Sequence, residues 1–146
     1  MIKEITGLHH ITSMASNADA NNAFFTKTLG LRRVKKTVNF DAPEVYHLYY
    51  GDEIGTPGSV MTYFPFAKMS PGQRGAGEVS ITEFAVPKDA LGFWKVRLSA
   101  LGVSSLMESS FLGEKRLSFD GPDGDGFALV ESDVRDRTPW AEADVP

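Results

Sequence analysis

The chain has 146 residues, of which 42% are hydrophobic and 23% charged, with no cysteine and a formal net charge of -4. That length holds one domain with a real core and is too short for two ordinary ones. The absence of cysteine excludes disulfides and thiolate metal sites, the acidic balance argues against a nucleic-acid surface, and no apolar run approaches the ~20 residues of a membrane helix.

The N-terminus, Met1-Ile2-Lys3-Glu4, does not open like a secretion signal, so the expected compartment is the cytoplasm. The first informative stretch is Gly7-Leu8-His9-His10-Ile11-Thr12, which holds two of the three histidines. Leu8, Ile11 and Met14 mark it as a buried strand. Side chains alternate on a strand, so His9 and His10 are expected on opposite faces and only one of them to serve a given cavity.

Ser16-Asn17-Ala18-Asp19 then reads as a helix start, and the helix is expected to run to about Leu29 with an inner stripe of Ala20, Phe24, Thr28 and Ala23. Gly30 ends it. Three strands follow over 31–38, 45–50 and 59–64, divided by Asp41-Ala42-Pro43 and by 51–58. The basic cluster Arg32, Arg33, Lys35 and Lys36 falls on the first of these and reads as a solvated edge or a subunit contact.

Residues 65–77 are rich in Pro, Gly and Ser and form a connection. Beyond it the pattern repeats: a strand over 78–86, a helix over 87–101 started by Pro87 and followed by Gly102, then strands over 103–107, 115–119 and 126–131. Leu91, Trp94, Val96, Leu98 and Leu101 give that helix its buried face. Leu29-Gly30-Leu31 and Leu101-Gly102-Val103 close the two helices in the same way. Asp120-Gly121-Pro122-Asp123-Gly124-Asp125-Gly126 superficially looks like a calcium loop but lacks its third acidic position, and it reads as a hairpin turn. The expected fold is α+β: two repeated βαβββ modules at about 4–66 and 77–133, with curved mixed sheets around a cleft, and a polar tail or linker over 134–146.

A doubled strand-helix-three-strand unit with a histidine on its first strand resembles the vicinal oxygen chelate superfamily of glyoxalases, bleomycin-resistance proteins and dioxygenases. The stretches 7–12, Phe24-Phe25, 29–31, 46–52, 55–62 and Phe64-Pro65 resemble the N-terminal domain of hydroquinone-type ring-cleaving extradiol dioxygenases. The resemblance implies a site of two histidines and one carboxylate binding iron(II) or manganese(II). It assigns His10 as the one metal ligand from this domain and places His9 and Thr12 beside the substrate as catalytic groups. The partners it implies are a small aromatic substrate, with no nucleic acid or membrane, and a homodimer or a C-terminal half domain to complete the site.

Two departures qualify that match. The strand 78–86 has no histidine, and Ala128 stands at or near the glutamate position expected of the last strand. The nearest carboxylates are Glu83 and Glu131. The chain is thus expected to be the N-terminal domain or split half of a ring-cleaving dioxygenase. The alternatives are a metal-free homodimeric small-molecule-binding protein of the bleomycin-resistance type and a glyoxalase-like isomerase. His47 is a further candidate ligand set against simple packing. Tyr46, Tyr49, Tyr50, Tyr63, Phe64 and Phe66 are candidates to line an aromatic pocket or to fill the core.

Overall fold

The computed structural model describes residues 4, 5, 7–133, 140 and 144–146. They divide into two compact units, the first within 4–68 together with Trp140 and the second within 69–133 together with 144–146. Most of the expected tail, 134–139 and 141–143, lies outside the described residues.

The first unit contains β1 (His10–Ala15), α1 (Ala18–Ala23) running into a π-helical turn (Phe24–Thr28), then β2 (Arg32–Val38), β3 (Tyr46–Gly51) and β4 (Val60–Pro65). Its sheet has the order β1-β4-β3-β2, with β1 parallel to β4 and the other pairs antiparallel. Asn17 caps α1, its side-chain oxygen accepting from the amides of Asp19 and Ala20 at 2.9 Å. The expected inner stripe is shifted by one residue. Ala20 is exposed and Ala23 only half-buried, while Asn21, Phe24, Phe25 and Leu29 are buried. Asn21, Phe24 and Phe25 share one face at ordinary helical spacing, and the π turn, with its i+5 bond from the Leu29 amide to the Phe24 carbonyl at 3.0 Å, adds a residue so that Leu29 rather than Thr28 completes that face. Phe25 stacks on Tyr50 at 4.7 Å and meets Tyr63 at 5.0 Å, and the Tyr50 hydroxyl donates to Asn21 Oδ1 at 3.0 Å.

β2 forms an edge of this sheet, carrying its four basic residues and a register shift between Arg33 and Lys35. Charge and a bulge are what keep an edge strand from pairing with another chain. The short 52–59 connection is organised by buried Asp52, whose Oδ1 accepts from the amides of Thr56 and Ile54 at 2.8 and 3.3 Å.

The second unit repeats the topology with β5 (Thr82–Val86), α2 (Leu91–Ala100), β6 (Met107–Phe111), β7 (Glu114–Asp120) and β8 (Gly126–Glu131), in the order β5-β8-β7-β6. Trp94 and Leu98 of α2, with Leu117, Phe119, Phe127 and Leu129 of the sheet, form its core. Three expected boundaries move. β5 begins at Thr82, because only from there does the strand pair with β8. Pro87 opens a turn in which Asp89 has a positive φ of 62°, so α2 starts at Leu91 and buries neither Val96 nor Leu101. The expected 103–107 strand is irregular up to Leu106, and β6 pairs with β7 only from Met107 onward. The 120–126 stretch is the β7–β8 turn, closed by the Gly121 amide on the Asp125 carbonyl at 2.8 Å.

Candidate functional site

One face of the first sheet is packed against the helix through Tyr50 and Tyr63. The other face, helix-free among the described residues, carries the candidate groups in register. His10 pairs with Val60; Thr12 pairs with Thr62, which pairs with Tyr49, which pairs with Lys35; one step on, Met14 pairs with Phe64, and His47 with Thr37.

The strand begins at His10, so His9 lies in the approach to β1 and is not bound by strand alternation. The expectation that the two histidines face apart is therefore overturned. Their rings meet edge to face at 5.2 Å, with Nδ1 to Nδ1 at 3.0 Å. One of these nitrogens must carry the proton of that bond. With His10 as donor, its Nε2 keeps a lone pair for a metal and its ring orientation is fixed by His9, the arrangement by which outer groups orient a ligating imidazole. Leu8, expected in a buried strand, is 77% exposed, and Met14 is half exposed. Thr12 shares a 2.9 Å hydrogen bond with Thr62, which is fully buried.

His47 is on the same face. Its Nδ1 is 2.8 Å from the Tyr49 hydroxyl, and its ring lies 4.1 Å from that of Tyr49 and 4.0 Å from that of Phe64. Burial, followed by the nearby His10 and Lys35, pushes its pKa below the usual histidine range. Its Nε2 is buried with no hydrogen-bond partner among the described residues. The register sets it four residues along the sheet from the His10 row, and among the described residues no third His, Asp or Glu joins the two as a metal-holding group. Of the six aromatic candidates, Tyr50 and Tyr63 belong to the core, and Tyr49 and Phe64 to the helix-free face.

The register of the second sheet gives the counterpart of each position. Aligning Leu48 opposite Tyr63 with Leu117 opposite Leu129 puts Ile81 where His10 stands, Glu83 at Thr12, Ala128 at Thr62 and Arg116 at His47. Glu83 is already engaged, Arg116 Nη1 donating to its Oε1 at 2.6 Å. Glu131 sits at the far end of β8, opposite Val86. Among the described residues no group of three His, Asp or Glu side chains is placed to hold a metal ion. The described residues thus fit one ligand of a two-histidine, one-carboxylate site and do not close that site.

No protein-family model matches the chain. It is 41% identical over 145 residues to a Bacillus subtilis (strain 168) protein named "Putative ring-cleaving dioxygenase MhqO", a match covering 99% of this chain and 46% of that protein. It is also 41% identical over 150 residues to the chlorohydroquinone/hydroquinone 1,2-dioxygenase of Sphingobium indicum, again 99% of this chain and 46% of the relative. The chain spans about half the length of the curated relatives it matches. Among solved structures, a "putative dioxygenase from Bacillus subtilis subsp. subtilis str. 168" superposes with a TM-score of 0.85 at 42% identity, over 90% of this chain and 42% of that one. A glyoxylase/bleomycin resistance protein/dioxygenase domain from Frankia sp. EAN1pec superposes at 0.70 with 12% identity over 91% and 95%, which speaks to the fold alone.

Proposed function

We propose, from the premise that this chain is a vicinal oxygen chelate domain homologous over nearly its whole length to about half of ring-cleaving dioxygenases, that it forms one half of a metal-dependent dioxygenase acting on hydroquinone-like aromatics. The observation that carries the proposal is the 41% identity to the hydroquinone dioxygenase over 99% of this chain. The modules within it are 4–66 and 77–133, with 134–146 as a polar tail or linker, and its location is the cytoplasm.

In this reading His10 is the metal ligand, through Nε2, and His9 holds its ring. Thr12, braced by Thr62, offers a hydroxyl beside the ligand. Iron(II) or manganese(II), when bound, supplies Lewis acidity toward a substrate hydroxyl and the electron transfer that oxygen insertion requires. The remaining histidine and carboxylate come from a second domain or chain, because Ile81, Ala128 and the paired Glu83 occupy the corresponding places here. The substrate is a small aromatic, and the assembly is a homodimer or a pairing with a complementary half.

The test is ring cleavage of hydroquinone, followed by oxygen uptake, after anaerobic iron loading of the chain mixed with a complementary half that carries the missing histidine and glutamate. Activity that is present in the mixture and lost in His10→Ala supports the proposal. An inactive mixture overturns it, and one that also takes up no metal favours the metal-free small-molecule-binding module.

A further inference from the structure

We infer that Tyr49, positioned by His47, is the group that receives the second hydroxyl of a para-dihydroxy aromatic whose first hydroxyl lies at the His10 end of the helix-free face; this rests on the function proposed above. Three observations carry it. The first is placement: Tyr49 stands in the same register row as Thr12 and Thr62, between the His10 row and the His47 row, so it borders the hydroxyl pair next to the candidate ligand.

The second is hydrogen-bond capacity. The Tyr49 hydroxyl meets His47 Nδ1 at 2.8 Å, and His47 is held neutral by its burial. A neutral imidazole has one donating and one accepting nitrogen. If Nδ1 accepts, Tyr49 gives it the phenolic proton and keeps its oxygen lone pairs for a ligand; if Nδ1 donates, Tyr49 keeps its proton for a ligand. Either way the Tyr49 oxygen retains capacity toward a second hydroxyl, which is itself both donor and acceptor.

The third is how the ring is held. His47 lies against the rings of both Tyr49 and Phe64, and the Lys35 ammonium sits 5.5 Å from the Tyr49 ring centroid. A half-buried tyrosine fixed on these sides presents its hydroxyl in one orientation, which is the preorganisation that turns a hydrogen bond into selectivity. The corresponding row of the second sheet has Ser118 in place of Tyr49 and Arg116 in place of His47, with the arginine bonded to Glu83, so this arrangement belongs to the first sheet.

The experiment is anaerobic equilibrium binding of hydroquinone and of phenol to the metal-loaded full chain, paired with its complementary half, for wild type, Tyr49→Phe and His47→Gln. Phenol lacks only the second hydroxyl. Wild type is expected to bind hydroquinone about tenfold more tightly than phenol, the effect of one hydrogen bond. Tyr49→Phe should erase that preference by weakening hydroquinone alone, and His47→Gln should reduce it, each with an unchanged circular dichroism spectrum. Equal binding of the two ligands by wild type, or an equal loss of both in Tyr49→Phe, overturns the inference and leaves the dioxygenase reading standing. That reading falls separately if the paired chain takes up no metal.

Discussion

Replacing Tyr50 by Phe removes one oxygen atom from the centre of the first unit, and its cost follows from what that atom touches. Tyr50 is fully buried, and its hydroxyl donates at 3.0 Å to the side chain of Asn21, which is 1% exposed. The substituted ring keeps the stack on Phe25, so almost no apolar contact is lost. What remains is a buried Asn21 oxygen deprived of its donor, and a group left in that state costs about 1–3 kcal/mol. Asn21→Leu strands the phenol instead and should cost a similar amount. The double variant Tyr50→Phe/Asn21→Leu removes both polar partners, so its cost should fall short of the sum of the two singles by about 1–3 kcal/mol. Urea unfolding followed by circular dichroism gives all three differences, with the urea dependence of the free energy unchanged among them. A neutral Tyr50→Phe, or a double variant that costs the full sum of the singles, would refute the reasoning.

Two further outcomes follow from particular contacts. Burial raises the Asp52 carboxyl pKa, but hydrogen bonds from Thr56, Ile54 and Gly55 outweigh it and hold the group below the usual carboxylate range. A depressed folded pKa contributes stability that is full above the unfolded value near ~3.9 and is lost as pH falls through the folded one; acid titration of unfolding free energy should therefore be steeper in wild type than in Asp52→Asn. At Gly126 an added Cβ would lie 2.4 Å from the Ser80 carbonyl oxygen, which is backbone. Gly126→Ala should cost about 1–3 kcal/mol by forcing the entry to β5 away from β8, measurable as a lowered thermal midpoint with weaker exchange protection at Thr82.

The repeat was legible because its marks are local. The glycines that end the two helices have φ values of 72° and 77°, and alternating apolar residues placed β2, β3, β4 and β8 to within a residue. The misplacements arose where tertiary packing overrode pattern. A π turn, invisible to a 3.6-residue period, brought Leu29 rather than Thr28 onto the buried face of the first helix, and a left-handed Asp89 delayed the second helix from Pro87 to Leu91. Strand alternation sets His9 and His10 on opposite faces, but it does not apply to a residue before the first strand pair. The pairing of His47 with Tyr49 had a visible signal in its i, i+2 spacing, which puts both on one face of β3. Which face that was depended on the order β1-β4-β3-β2, a long-range property that no short motif carries.

The central claim is that this chain supplies one metal ligand, His10, to a site completed elsewhere. Its most direct measurement is the metal content of the purified chain, alone and mixed with a complementary half carrying a histidine and a glutamate, for wild type and His10→Ala. The account predicts substoichiometric iron or manganese on the chain alone, about one ion per pair in the mixture, and loss of that ion in His10→Ala. Stoichiometric metal on the chain alone, or retention of metal by the His10→Ala pair, would contradict it.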